Sequence, residues 1–228
     1  MLAEIVLLKK SLLCKAATID YFHLISGADF PCKSNDEIDR YFEEHKGKSY
    51  MWFDSDEETK EWRKRKYPDR YRLYHFNDTG YNNSKFINAM RPFIRTFQRF
   101  HIYLRPEIKN VYAGWNWFSW HRKVVDYTLR YLVQYPEKLN RMRYCTCIDE
   151  IFFHTLLHDK VKELNIVTNN ALRYIDWHPN NNYKGSLPKI LDITDYNMIK
   201  NSDAIFCRKV DDKLSKSLLT KLDKEIRS

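Results

Sequence analysis

The sequence has little glycine and little proline, and it has no long apolar run. Its 228 residues include five glycines and seven prolines, which excludes a collagen-like or low-complexity chain. No apolar run approaches the roughly 20 residues that a membrane-spanning helix needs. Glu4, Lys9 and Lys10 interrupt the opening apolar stretch, so we do not expect this stretch to be a signal peptide.

Cysteine is scarce as well, and it is not arranged in pairs. The five cysteines are odd in number, and their only close pair is Cys145 and Cys147, which is not the CxxC spacing of redox and zinc sites. We expect five reduced, buried thiols and a cytoplasmic protein rather than a disulfide framework. The sequence also lacks the glycine-rich phosphate loops and the GxSxG elbow of serine hydrolases.

Aromatic residues are abundant, and strand and helix patterns alternate along the chain. Aromatics make up 15% of the residues, which supplies a large core and excludes disorder over most of the length. A capping box at Ser34 and Glu37 predicts a helix that begins at Asn35. The other patterns predict helices over 4–14, 84–104, 123–135, 149–158 and 211–226, the last one polar, and strands over 20–26, 49–53, 72–76, 111–120, 172–177 and 205–210.

This alternation indicates an α/β class with an open, mostly parallel sheet flanked by helices. No repeat, composition shift or low-complexity tract divides the chain, and we therefore expect a single domain over residues 1–228. The segment 177–189 contains two prolines, a glycine and three consecutive asparagines, which predicts an irregular connection.

Positive charges outnumber negative ones by nine, which indicates an anionic partner. The basic residues are spread along the chain, and the one dense cluster, residues 63–66, is typical of a solvated helix face. A nucleic acid, a substrate such as a nucleotide diphosphate and an anionic membrane surface all fit this balance.

Two motifs raise the question of a metal. Asp54 and Asp56 follow an apolar run, as do the acids that hold a divalent ion in many sugar-nucleotide transferases, but such residues are equally typical of a turn or of the acidic first turn of a helix. His154 and His158 lie four residues apart without a third ligand in sight. Neither motif predicts a metal site, and no cofactor is expected.

Two charged pairs lie at predicted strand ends. Asp149 and Glu150 precede an apolar helix, where acids are most often caps. A carboxylate at a strand-to-helix junction also faces the active cleft of an open α/β sheet, where it could take a proton from a substrate hydroxyl. Arg208 and Lys209 follow another predicted strand, where two cations could neutralise a leaving diphosphate or simply be solvated.

Five segments, in order along the chain, resemble the motifs of one family. They are 21–31 (resembling LSGxDFP), 114–122 (GSxWFxLxR), 148–157 (PDExFFxTLL), 172–177 (LRYIDW) and 206–211 (FARKFD). Together they resemble the core-2/I-branching β-1,6-N-acetylglucosaminyltransferases and the related xylosyltransferases. Ile148 replaces the proline of the third motif and Cys207 replaces the alanine of the fifth, and both departures are mild.

The resemblance implies a GT-A-like fold and an inverting, metal-independent glycosyltransferase that uses a UDP-sugar donor and a glycan acceptor. The glutamate of PDE falls on Glu150, which would be the general base. The lysine of FARKFD falls on Lys209, which would bind the donor diphosphate beside Arg208, with Lys189 as the best-placed further cation. The residues implied at the acceptor are Tyr174, Asp176, Trp117 and Asp29.

The family usually has a nucleotide-binding βαβ segment before the first helix, and this chain starts at that helix. We therefore expect weak UDP binding and an open sheet edge that pairs in a homodimer or with a partner. The favoured interpretation is a bacterial enzyme of surface polysaccharide synthesis in the cytoplasm, in peripheral contact with the inner face of the membrane. The alternative is a non-catalytic remnant or carbohydrate-binding module that keeps the acceptor cleft. Nucleic-acid binding rests on charge alone and is not expected.

Overall fold

The helices and strands alternate along the chain, and the α/β class is confirmed. The computed structural model describes residues 1–13, 19–65, 67–75, 85–101, 105–106, 108, 110–178 and 187–227. Within these ranges the helices are α1 (Leu2–Leu12), α2 (Asn35–Glu44), α3 (Asp56–Arg65), α4 (Tyr67–Arg72), α5 (Lys85–Phe100), α6 (Arg122–Gln134), α7 (Pro136–Met142), α8 (Phe152–Leu157), α9 (Tyr196–Lys200) and α10 (Lys216–Ile226). The strands are β1 (Tyr21–His23), β2 (Asp29–Pro31), β3 (Ser49–Phe53), β4 (Gly114–His121), β5 (Ile166–Val167), β6 (Arg173–Ile175) and β7 (Phe206–Arg208).

The strands form two open sheets. The four-stranded sheet has the order β1-β4-β3-β5, and the three-stranded sheet has the order β2-β7-β6. β1 is antiparallel to β4 and β2 to β7, whereas β5 is parallel to β3 and β6 to β7. Both sheets are therefore mixed, where the sequence predicts a mostly parallel sheet. Open mixed sheets flanked by helices are consistent with a GT-A-like fold.

The chain separates into two compact units. The first contains Met1–Ala16, Phe53–Asn116 and Val125–Lys160, and the second contains Ala17–Trp52, Trp117–Val124 and Val161–Ser228. A single domain over 1–228 stays a prediction.

The second unit has two apolar clusters. The first cluster joins Cys207 of β7 to Leu218 and Leu222 of α10. The helix α10 is thus amphipathic rather than polar, because it buries two leucines while its other side chains remain in contact with water. The second cluster joins Phe42 of α2 and Tyr50 of β3 to Leu172, Ile205 and Phe206.

Local sequence signals located most of the elements to within a few residues. The capping box of α2 is confirmed, since Ser34 Oγ accepts a hydrogen bond from the Glu37 amide and the Ser34 amide donates to Glu37 Oε2. Pro92 lies inside α5 without ending it. The elements α4, α7, α9, β2 and β5 were not predicted, because they are short and lack a strong periodic pattern.

The predicted strand over 72–76 is wrong for the described residues 72–75. Helix α4 ends at Arg72, and the following residues do not pair with another strand. Instead, the side-chain amide of Gln98 on α5 bonds both backbone groups of Tyr74, accepting from its N–H at 2.7 Å and donating to its carbonyl at 3.2 Å. A side chain thus satisfies the backbone that a neighbouring strand would otherwise satisfy. Residue 76 lies outside the described residues.

Over the described ranges, no helix has both the length and the apolar character that a membrane span requires.

Candidate active site

Glu150 lies at the end of a 3-10 turn, Ile148–Glu150, just ahead of α8. Its Oε2 accepts a hydrogen bond from Nη1 of Arg70 at 2.5 Å. The Glu150 side chain is 42% exposed and that of Arg70 only 17% exposed. Among the described residues none donates a hydrogen bond to Oε1 of Glu150. One carboxylate oxygen is therefore oriented by a guanidinium, and the carboxylate remains accessible.

Asp149 and Glu150 lie in the first turn of the 3-10 helix, as acids at a helix start do, but neither is an N-cap residue. The residue that precedes the 3-10 turn is Cys147 and the one that precedes α8 is Ile151, and neither position has a side-chain cap hydrogen bond. Instead, each of the two carboxylates accepts a hydrogen bond from another side chain. Glu150 is thus not occupied by the structural role that acids at a helix start most often have.

Asp149 belongs to a separate polar contact. Its Oδ2 accepts a hydrogen bond from Nδ2 of Asn116 at 3.1 Å, and the same amide nitrogen donates to Oε1 of Glu4 at 3.1 Å. Asn116 lies on β4 and Glu4 on α1. One amide of the first unit therefore ties the turn that carries Glu150 to Glu4 of α1, which stabilises the position of that turn.

Three of the five motif segments form the three-stranded sheet. β2 lies in 21–31, β6 in 172–177 and β7 in 206–211, and β7 is the central strand. The register places Arg208 opposite Asp29 on one side and opposite Ile175 on the other. Segments far apart in the sequence therefore bring their polar residues to one sheet.

Arg208, which is predicted to bind the donor diphosphate, contacts Asp29, which is predicted to lie at the acceptor. Arg208 Nη1 donates to Asp29 Oδ2 at 3.0 Å and to Ser26 Oγ at 3.1 Å. The Asp29 side chain is fully buried and its guanidinium partner nearly so. The Arg208 guanidinium also lies 3.7 Å from the centre of the Trp117 ring. Burial lowers the pKa of Arg208, and the charge and hydrogen bond of Asp29 oppose that shift.

Lys189 is held by carboxylates. Its Nζ donates to Asp195 Oδ1 at 2.7 Å and lies 3.9 Å from Asp176 Oδ2. Burial lowers the pKa of Lys189, but the hydrogen bond and charge of Asp195, with Asp192 and Asp176, outweigh it, and the pKa is raised. Lys189 is therefore a charged ammonium held in a carboxylate cluster.

Tyr174 and Asp176 are close to Lys189 and its carboxylate partners. Burial, together with the charges of Asp195 and Asp176, raises the pKa of the Tyr174 hydroxyl. Burial acts to raise the pKa of Asp176, but two hydrogen bonds from His178 and the charges of His178 and Lys189 lower it. The second unit thus brings Lys189 together with two residues predicted at the acceptor.

Lys209 follows β7 directly and is half-buried. Its carbonyl accepts a hydrogen bond from the Leu191 amide at 2.8 Å. Glu150 lies in the first unit, whereas the other seven predicted site residues lie in the second. The catalytic role of Glu150 and the binding roles of the other seven stay predictions.

The chain matches a known family over most of its length. The profile of the core-2/I-branching enzyme family matches residues 1–200. The chain belongs to this family. Membership implies glycosyltransferase activity in general. A comparison with curated proteins found no match.

In this core-2/I-branching family member, the acids after β3 form a helix start. The Ser55 amide donates to Glu58 Oε2 at 2.9 Å, and the Glu58 amide donates to Ser55 Oγ at 3.2 Å. This second capping box supports the interpretation of 54–58 as the acidic first turn of a helix. In the part of the chain that the structure describes, no group of three or more His, Cys, Asp and Glu side chains could hold a metal. Metal independence stays a prediction.

Sequence reasoning missed a buried polar network in this family member. Arg173 of β6 is buried, and its guanidinium donates to Ser119 Oγ and to the carbonyls of Leu24, Phe118 and Ala171. Ser119 Oγ also contacts His23 Nδ1 at 2.8 Å. The only signal available was the arginine within the LRYIDW-like segment, whose position in a strand gives no hint of its partners.

Proposed function

We propose that this chain is an inverting glycosyltransferase that moves a sugar from a UDP-sugar to a hydroxyl of a glycan, with Glu150 as the general base and without a metal. Family membership supports the transferase activity in general. The acceptor oxygen attacks the anomeric carbon while the bond from that carbon to the UDP oxygen breaks. Glu150 takes the hydroxyl proton, and UDP leaves with the electron pair of the broken bond.

The observation that carries this proposal is the accessible Glu150 carboxylate held by Arg70. A general base must meet its substrate in one orientation and must be reachable from solvent. The Arg70 hydrogen bond supplies the orientation, and the 42% exposure of the side chain supplies the access. Glu150 caps neither helix start, so the backbone amides there do not engage its carboxylate.

In the proposed reaction, positive side chains neutralise the leaving diphosphate. Lys209 and Lys189 are the proposed phosphate contacts, with Arg208 beside them. Arg208 is paired with Asp29 and Lys189 with Asp195, so in this proposal both share their positive charge between a carboxylate and the diphosphate. The proposed setting is surface polysaccharide synthesis at the cytoplasmic side of a bacterial membrane.

The test is transfer by the Glu150→Gln variant. A panel of UDP-sugars and glycan acceptors is first used to find the pair that the natural chain turns over, with released UDP as the readout. Glu150→Gln keeps the shape of the side chain but not its basicity, so we expect a drop of roughly 10²- to 10⁴-fold in kcat. Asp159→Asn, an exposed acid beyond α8, is the matched control and should keep the natural rate.

Two outcomes would contradict the proposal. A folded Glu150→Gln variant with the natural rate would exclude Glu150 as the base. A natural chain that binds glycans but releases no UDP from any donor would instead support the carbohydrate-binding alternative. Circular dichroism and urea unfolding of both variants establish that they are folded.

A further inference from the structure

Helix α5 has a row of large apolar side chains that face solvent. Phe86, Phe93, Phe97 and Phe100 are 74%, 70%, 59% and 82% exposed, and Met90 between them is also exposed. Their spacing of three and four residues places them on one face of the helix. Single exposed apolar residues are normal, but a contiguous row of phenylalanines marks an interaction surface.

All the charged residues of α5 are basic. Its sixteen residues include Lys85, Arg91, Arg95 and Arg99 and no acid. The three arginines repeat every four residues and therefore follow a line of their own along the helix, away from the phenylalanine row. Arg99 forms an ion pair with Asp69, and Arg95 is exposed. An apolar aromatic face combined with an arginine-rich polar face is typical of helices that lie in a membrane interface.

Gln98 anchors this helix by its other side. It is buried, and its amide makes two hydrogen bonds to the backbone of Tyr74. This contact holds α5 in the first unit while its phenylalanine row faces solvent. The apolar face can therefore bind a partner without any movement of the helix.

We propose that α5 binds the surface of an anionic lipid bilayer, with its phenylalanines inserted at the level of the upper acyl chains and its arginines at the headgroups. The helix is too short and too charged to cross the bilayer, since a span needs about 20 apolar residues. It therefore lies along the surface.

The charge of α5 favours an anionic bilayer as its partner over a second copy of the chain. The cations of α5 complement anionic lipid headgroups, each contributing to the attraction near the surface. A second copy would bring the same helix with the same four cations, on a chain whose net charge is +9. The arginines lie away from the phenylalanine row, so the repulsion between two copies is that of two chains with a net charge of +9. An anionic bilayer instead attracts the chain and removes the phenylalanines from water.

The test is co-sedimentation of the full chain with vesicles of phosphatidylcholine, with and without phosphatidylglycerol. We expect binding only to the vesicles that contain phosphatidylglycerol, and we expect it to weaken as salt is raised. The variant with Phe93→Ser and Phe97→Ser should bind about tenfold more weakly or worse, because two inserted side chains are lost. Arg95→Gln should reduce binding to the anionic vesicles by about fivefold.

The matched control is Val133→Ser, which removes an equally exposed apolar side chain from α6 (75% exposed), and it should bind like the natural chain. Equal sedimentation of the natural chain and the double phenylalanine variant would overturn the proposal. So would absence of vesicle binding together with a dimer, seen by light scattering, that the double variant loses. Since the substituted side chains are exposed, we expect unchanged circular dichroism, which verifies that each variant is folded.

Discussion

At the residue scale, Arg173 shows how one buried cation organises its surroundings. Its guanidinium bonds three carbonyls and the Ser119 hydroxyl. Burial lowers the pKa of Arg173, the charge of Asp29 opposes this shift, and the charge of Arg208 adds to it. Ser119 Oγ accepts from Arg173 and can donate its own proton to Nδ1 of His23. Burial and the nearby Arg173 charge favour a neutral His23.

The stability of the chain should accordingly fall in mild acid. Burial and the charge of Arg173 lower the pKa of His23 to about 4, below the value of about 6.5 in an unfolded chain. Between these two values the unfolded chain binds more protons, so stability is complete above pH 6.5 and is lost as the pH falls toward 4. From about pH 8 to about pH 5 the loss due to His23 is about 2 kcal/mol.

Urea unfolding of the natural chain and of His23→Gln at both pH values measures this loss. The variant should lose about 2 kcal/mol less than the natural chain between the two pH values. His101→Gln, which alters an exposed histidine, is the control and should follow the natural pH profile. Identical profiles for His23→Gln and the natural chain would contradict the assignment.

At the element scale, β2 is held to β7 by a side-chain pair as well as by its backbone. Asp29 and Arg208 are directly opposite in the antiparallel register, and their side chains form a buried ion pair. Asp29 Oδ2 also accepts from the Ser26 amide and hydroxyl, at 2.6 Å each. The pair thus closes the turn before β2 and fixes β2 on the central strand.

Asp29→Asn should destabilise the chain by about 3 kcal/mol, because it removes one charge and leaves its buried partner uncompensated. The readout is the urea midpoint at neutral pH. Asp223→Asn breaks the exposed pair with Arg227 on α10, and as the matched control it should leave the midpoint unchanged. A midpoint for Asp29→Asn that equals that of the control would show that the ion pair does not hold β2.

At the scale of the whole molecule, the excess of nine positive charges suits a transferase that neutralises a diphosphate with side chains. If side-chain cations neutralise the diphosphate, EDTA should leave the transfer rate unchanged. For the same reason, Lys209→Ala should weaken UDP binding far more than Asp54→Ala does. The measurements are the UDP-release assay with EDTA and calorimetric titration of UDP. Activity lost in EDTA and restored by Mn²⁺ would contradict the prediction and point back to the acidic residues after β3.

Local signals made part of the fold predictable. The capping box of α2 could be located because Ser34 and Glu37 are three residues apart and satisfy each other's backbone amides. The segment after α4 could not, because its residue types predict a strand while the backbone of Tyr74 is bonded by the side chain of Gln98 on α5. For the candidate site, the motif match located Glu150, but nothing near it in the sequence indicated Arg70 as its partner.

The sequence by itself determined the α/β class, the amphipathic face of α5 and the family of the chain, since each depends on residue types at short spacing. Only the tertiary structure decided which charges meet. The chain contains 39 basic and 30 acidic residues, and their spacing does not specify that Arg208 pairs with Asp29 or that Arg70 pairs with Glu150. Such pairs form between residues far apart in the chain, because strand register and helix packing bring them together.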